Sequence, residues 1–161
     1  ERWSTTPCAM DESSPSAESL EVAELLARRA LGDLKVARKL SPDPEIDEGA
    51  IGFHTQQAVE KALKVALTLE GVDFPKTHDL EFLVGLASRH SIDVPEDVAA
   101  AGWLTPWGTD FRYDDEPLHS LDRSSALGLA GKAVAWCEEL VAGAQADDDG
   151  DEETGRDRSE Q

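Results

Sequence analysis

The stretch Gly52 to Leu69, GFHTQQAVEKALKVALTL, constrains this chain more than any other, because it is the longest uninterrupted amphipathic pattern and carries two different faces. At 3.6 residues per turn, Val59, Ala62, Leu63, Ala66 and Leu69 fall on one broad apolar stripe, widened by Ala58 and Val65. A helix patterned in this way has to bury that stripe against other elements. His54, Gln57, Lys61, Lys64 and Thr68, spaced alternately by three and four residues, form a second stripe that donates hydrogen bonds and brings positive charge. Such a face either meets a polar partner or simply faces water with a Glu60–Lys64 pair at i, i+4, the commoner fate of charged helix faces.

The rest of the chain offers this helix partners of the same kind. From Leu20 to Leu40, apolar residues recur at helical spacing, with Val22, Ala23, Leu26, Ala30, Leu34 and Ala37 on one side. Ser19 or an earlier serine is placed to cap that helix, and Glu21, Glu24, Arg38 and Lys39 suit its dipole. Two prolines and a glycine make Ser41 to Gly49 a loop. Gly71 is a natural stop for the second helix, and Thr77 is placed to cap a third, in which Leu80, Leu83, Val84 and Ala87 face inward. His78 reads as a local hydrogen-bonding partner at that helix start. Pro95 opens a further helical segment that Pro106 and Gly108 interrupt, and Trp103, Trp107 and Phe111 recur at i, i+4, i+8, a spacing typical of core aromatics. A last helix from Asp122 or Ser124 to about Val141 turns Leu127, Ala130, Val134, Cys137 and Leu140 or Val141 inward. No segment between Leu20 and Val141 reads as a strand. The fold class predicted is all-α, an antiparallel bundle of four to five helices joined by short loops.

Charge divides the chain further. The formal net charge is −19, and the run from Asp147 holds eight acids against Arg156 and Arg158, while residues 1–19 hold four acids against Arg2. These compositions predict disordered tails over 1–19 and 146–161 around a single helical domain at 20–145. An acidic surface disfavours broad non-specific nucleic-acid binding, and no DNA-binding motif is present, although a local basic site fits within this balance. The two cysteines, Cys8 and Cys137, make no disulfide framework and suit a reducing interior. No apolar run is long enough to span a bilayer, and no basic and apolar leader opens the sequence, so the expectation is a cytoplasmic protein.

The densest polar chemistry is Asp110 to His119, DFRYDDEPLH. Arg112, surrounded by acids, is either neutralised by them or offers its planar guanidinium to a phosphate. His119 would then serve as general acid or base. Asp114, Asp115 and Glu116 are too close in sequence to converge on a metal, and no histidine spacing resembles a zinc site. A serine-nucleophile turn and a phosphate-binding glycine loop are both missing. No cofactor and no metal are implied.

The string FHTQQAVEKALKVALTLEGVDFPKTHDLEFLV, preceded by LLARRALGDLKVARKL and followed by F-R-Y and a final helix, resembles the prokaryotic HEPN domain family, whose members are often encoded beside a minimal nucleotidyltransferase. The resemblance covers Leu20 to roughly Val141. It implies a homodimeric helical bundle acting on or with nucleotides or RNA, or holding a nucleotidyltransferase partner in a toxin–antitoxin-like pair. Active members of the wider superfamily are metal-independent ribonucleases with four to six residues between an arginine and a histidine, paired across the dimer. Here Arg112 and His119 have six residues between them, Tyr113 follows the arginine, and Pro117 interrupts the spacer. With the nucleotide- or RNA-connected role that the resemblance implies, the polar stripe reads as a binding face made of His54, Gln57, Lys61 and Lys64, with Arg112 and Tyr113. Its alternative is a ribonuclease in which Arg112 and His119 catalyse at a dimer interface.

Overall fold

A computed structural model describes residues 15–109 and 120–156, and every regular element among them is helical. Three long helices make the body: α1 (Ala17–Leu40), α2 (Glu48–Leu69) and α6 (Arg123–Arg156). Between the second and the last lie α3 (Leu80–Arg89), α4 (Glu96–Ala99), a single 3₁₀ turn at Ala101–Leu104, and α5 (Thr105–Thr109). The four to five helices expected appear as four principal units, the third of which is a broken run of short pieces. The break comes earlier than the sequence predicts, at Ala100, and Pro106 sits in the first turn of α5, where a missing N–H costs nothing.

Local chemistry sets the boundaries. Ser16 caps α1 by accepting from the Ser19 amide at 3.1 Å, and Asp47 caps α2 by accepting from Gly49 at 2.6 Å. α2 therefore begins at Glu48, inside the stretch expected to be loop. At its other end Gly71 takes a φ of 65°, and the Val72 amide reaches back to the Leu67 carbonyl at 2.9 Å, a glycine-terminated helix end. The cap of α3 is Asp79, which accepts from Phe82 at 3.1 Å, rather than Thr77; the Thr77 hydroxyl instead accepts from the Asp79 amide. The α1–α2 loop is held from outside by Arg123, whose guanidinium donates to the carbonyls of Ser41, Asp43 and Ile46 at 2.9, 2.8 and 2.7 Å. Nothing in the sequence spacing announces that clamp, because its partners are backbone oxygens.

α2 is the centre of the core. Ile51, Ala58, Val59, Ala62, Leu63, Val65 and Leu67 are fully buried along it, on more than one side, since α1, α3, α5 and α6 all pack against it. α1 contributes Leu20, Ala23, Ala27, Ala30, Leu34 and Ala37, and α6 contributes Ala126, Leu129, Ala130, Ala133, Val134, Cys137 and Val141. Burial, and to a lesser degree the neighbouring Glu138 charge, pushes the Cys137 thiol up to about 12, so it behaves as an inert core residue. Two expected core residues face solvent instead: Val22 is 44 % exposed and Trp103 46 % exposed, whereas Trp107 is buried. Phe111 lies outside the described residues. α6 continues to Arg156 past Ala144, the last of its residues packed on the core, and Ala146, Asp147 and Asp148 are exposed.

α5 lies against α2 at two glycines. A Cβ on Gly52 would come within 2.5 Å of the Trp107 ring, and one on Gly108 within 2.4 Å of the Gln56 side chain. The indole is rigid and enclosed, so Gly52→Ala is expected to lower stability by roughly 1–3 kcal/mol, the cost of overpacking a filled core, read as a lower Tm in thermal unfolding. An unchanged Tm would mean that α5 is not held on α2 as described.

Candidate polar site on the central helix

The second stripe of α2 is not simply solvated. At its middle Glu60, only 3 % exposed, is a buried carboxylate with four donors. Its Oε1 accepts from Lys64 Nζ at 2.7 Å, and its Oε2 accepts from Gln56 Nε2 at 3.0 Å, His78 Nδ1 at 3.0 Å and Gln57 Nε2 at 3.3 Å. Burial pushes this carboxyl towards a higher pKa. The hydrogen bonds from Lys64, Gln56 and His78, with the Lys64 charge, outweigh it and hold the group below its ordinary 4.5. His78 thus has a role eighteen residues away from its own position rather than a local one at the start of α3. Its carbonyl also accepts from Gln56 Nε2 at 2.9 Å, and the Thr77 carbonyl accepts from Lys64 Nζ at 3.1 Å, so the α2–α3 turn is sewn to α2. Lys64 also lies 5.7 Å from the centre of the Phe74 ring, within cation–π reach.

A second carboxylate repeats the device. Asp33 of α1 accepts from His54 Nδ1 at 2.8 Å through one oxygen and from Lys61 Nζ at 2.7 Å through the other. Lys61 also donates to Gln57 Oε1 at 2.9 Å, and Gln57 Nε2 donates to Gln56 Oε1 at 2.8 Å, which joins the two carboxylate centres into one chain. Each carboxylate therefore holds one lysine and one histidine. A carboxylate only accepts, so Nδ1 carries the hydrogen in both histidines, and Nε2 is left without a protein partner among the described residues. Each lysine uses two of its three N–H groups on protein oxygens and keeps one over. No buried side-chain nitrogen or oxygen among the described residues lacks a partner.

The structure thus brings His54, Gln57, Lys61 and Lys64 into one ordered row and adds Asp33, Gln56, Glu60 and His78 to it. Thr68, at the end of the stripe, donates to the Lys64 carbonyl at 2.7 Å and takes no part. Gln56 and Glu60 were absent from the sequence reading as site residues because they fall between the polar and apolar stripes; His78 was visible only as a helix-start residue. Arg112, Tyr113 and His119, like Asp114, Asp115 and Glu116, lie outside the described residues. The flanks of their segment are described: Trp107 and Gly108 lie on Gly52 and Gln56, and the Leu121 amide donates to Glu48 Oε2 at 2.9 Å. At about 100° per residue, Gly52 and Gln56 point well over 90° away from His54 and Lys61, which face α1. Among the described residues no group of three His, Cys, Asp or Glu could hold a metal ion, and no helix is long and apolar enough to cross a membrane.

Removing the Glu60 carboxylate leaves Gln56 and Lys64 without their shared acceptor inside the protein, so Glu60→Ala is expected to cost about 3 kcal/mol, as for other broken buried ion pairs. Glu60 is more acidic in the folded chain than its ordinary 4.5, so its contribution is whole above that pH and is lost as pH falls through the lowered native value. Denaturant unfolding of wild type and Glu60→Gln at neutral and acid pH should show their stabilities converging in acid. Parallel curves across that range would remove Glu60 from its central position.

The HEPN domain family matches residues 23–140, most of the chain and all of the network just described. No curated protein and no solved structure matches the sequence. The match spans well over half of the chain and the described residues form an all-helical bundle, and the chain belongs to the HEPN domain family.

Proposed function

We propose that this HEPN domain is a homodimeric binding module for nucleotide or RNA, using the α2 row of His54, Gln57, Lys61 and Lys64. The observation that carries the reading is the repeated carboxylate device. Asp33 and Glu60 fix two lysines and two histidines from behind, leaving one N–H on each lysine and Nε2 on each histidine for a ligand. Phosphate oxygens would accept from the lysines, and a ribose hydroxyl would donate to a neutral Nε2. Each lysine is already half-neutralised, so hydrogen-bond geometry rather than bulk charge selects the ligand. A minimal nucleotidyltransferase, in a toxin–antitoxin-like pair, is the protein partner that fits a module of this kind, and Arg112 and Tyr113 extend the site if their segment reaches the ligand.

A second reading, the alternative that the family resemblance implies, is metal-independent cleavage of RNA by Arg112 and His119; of the residues on either side, Gly108 lies on Gln56 and the Leu121 amide donates to Glu48, both in the first half of α2. His119 would then move the proton of the 2′-hydroxyl or of the leaving oxygen, and Arg112 would stabilise charge on the phosphate.

Fluorescence anisotropy with a short single-stranded RNA and with mononucleotides tests the first reading. Lys61→Ala is expected to weaken binding roughly tenfold, the loss of one charge-assisted hydrogen bond. Asp33→Ala is expected to weaken it too, because Lys61 and His54 lose the carboxylate that orders them. Two free lysines on single-stranded RNA would give a log K against log salt slope of roughly −1.4, and lysines already paired with carboxylates are expected to give a shallower one. Unchanged binding in Lys61→Ala overturns the module. RNA cleavage in EDTA by wild type, absent in an Arg112→Ala, His119→Ala double variant, would establish the ribonuclease instead.

A further inference from the structure

We propose that the open slot between α4 and α6 is a binding site for a nucleobase, stacked on Trp103. The slot has a volume of about 370 Å³, within the range of small-molecule sites, roughly 300–1,000 Å³. One wall comes from Asp97, Ala100 and Trp103 along α4 and the 3₁₀ turn, and the other from Ser125, Gly128 and Lys132 on one face of α6. Asp97 and Lys132 join the walls as an ion pair, and Trp103 and Ser125 are the residues furthest along each wall from that join. Between them the side chains are small. A Cβ built on Gly128 meets nothing within 4 Å, so this stretch of α6 is bare backbone beside open space. Trp103 is the most exposed of the large apolar side chains among the described residues. Its neighbour Gly102 sets it there: a Cβ at that position would come within 2.6 Å of Glu81 Cγ, so the glycine lets the 3₁₀ turn settle on α3 while the next residue is carried to the slot. The indole forgoes the burial that Trp107 gains against Gly52, and its flat apolar surface is left for something else to cover.

The polar groups around the indole set the chemical class of the ligand. Lys132 donates to Asp97 Oδ2, which leaves Asp97 Oδ1 as an acceptor and two N–H groups on Lys132 without a partner among the described residues. Ser125 Oγ donates to Asp122 Oδ2 at 2.7 Å, so it meets a ligand as an acceptor. A matching molecule is flat, to lie on the indole, and carries a donor beside an acceptor on its edge, the donor for Asp97 and the acceptor for Lys132. Every nucleobase has such an edge, an amino or ring N–H group next to a ring nitrogen or carbonyl. A plain aromatic ring stacks but leaves the ion pair to water, and a phosphate meets a lysine already paired and a carboxylate that repels it. The slot therefore differs in kind from the α2 row. The row presents lysines and histidines, whereas the slot presents a ring surface and a neutralised donor–acceptor pair on separate elements. The proposal deepens the nucleotide- or RNA-binding reading by giving the base a place of its own, and it rests on that reading only for what carries the base.

Titration of the isotope-labelled full chain with adenosine and with cytidine, followed at the indole N–H resonances, tests the proposal, and Trp103→Phe identifies the Trp103 signal. That signal is expected to shift saturably with either nucleoside and far less with benzyl alcohol, an aromatic ring without the donor–acceptor edge. Equilibrium dialysis of the same nucleosides is expected to show binding roughly tenfold weaker in Trp103→Ala, the loss of one stacked base. Gly128→Leu, which fills the slot from an exposed helix position, is expected to abolish it, with circular dichroism confirming that both variants stay helical. A Trp103 signal that neither nucleoside moves overturns the proposal, as does undiminished binding in Gly128→Leu. An equal response to benzyl alcohol removes the nucleobase as the ligand. Because nucleosides carry no phosphate and the Trp103 signal reports the slot alone, these failures leave the α2 row standing, and failure of the row in Lys61→Ala leaves the slot. A short single-stranded RNA separates the two sources of the base: tighter binding at Trp103 than the nucleosides show assigns a base carried on RNA, and binding no tighter assigns a free nucleoside or nucleotide.

Discussion

A carboxylate cannot sit inside a helical bundle without donors, and the buried position of Glu60 dictates much of what surrounds it. Lys64 one turn later, Gln56 one turn earlier and Gln57 between them come from α2 itself, so the helix supplies most of its own compensation. The remaining donor, His78, comes from the turn before α3, and with it come the two carbonyls that Gln56 and Lys64 engage. Solvating one charge thereby fixes the course of the chain between two helices. The polar residues of the segment from His54 to Lys64 and the turn containing Thr77 and His78 are parts of one structure, although thirteen or more residues separate them in sequence.

The same helix meets opposite requirements on its other side. There, Gly52 and Gly108 remove side chains so that Trp107 and Gln56 can enter, and α5 comes to rest on α2 with no room for a methyl group at either glycine. Gln56 joins the two sides: its amide nitrogen serves Glu60 and His78, and the same amide group lies under Gly108. A displacement of α5 would disturb the Glu60 network through this one side chain, which couples the flank of the Arg112-bearing segment to the ordered row on α2.

The helices and some of their ends are legible because they depend on short-range chemistry: apolar periodicity, a serine cap on α1, and Gly71 at a left-handed turn. The apolar stripe of α2 was legible for the same reason, and the polar stripe was recognisable as a set of residues. What it faces was not. Asp33 reads as one more exposed acid in α1, and nothing local says that it lies opposite His54 and Lys61, a pairing made by the α1–α2 packing. Glu60 looks like half of an i, i+4 surface pair because the pattern cannot show that α3 and its turn close over it. Trp103 and Val22 fail in the reverse direction. Helical spacing marks them for the core, but a 3₁₀ turn rotates Trp103 outward, and Val22 lies at the solvent margin of the α1 stripe.

These pairings change what the positive stripe can mean. Read as sequence, His54, Lys61 and Lys64 suggest a patch that draws polyanions by charge, which sits badly with a net charge of −19. In the folded chain each lysine is neutralised by a carboxylate within 2.7 Å, so the long-range attraction largely cancels and the conflict disappears. Short-range directed hydrogen bonding is left, on side chains that have already lost their rotamer freedom to Asp33 and Glu60. A ligand meeting such a row pays little entropy to order it and finds donors and bases at fixed spacing. That arrangement favours recognition of one small, polar, correctly shaped group over indiscriminate adhesion to nucleic acid, and it lets a strongly acidic protein keep a phosphate-compatible site without a basic surface around it.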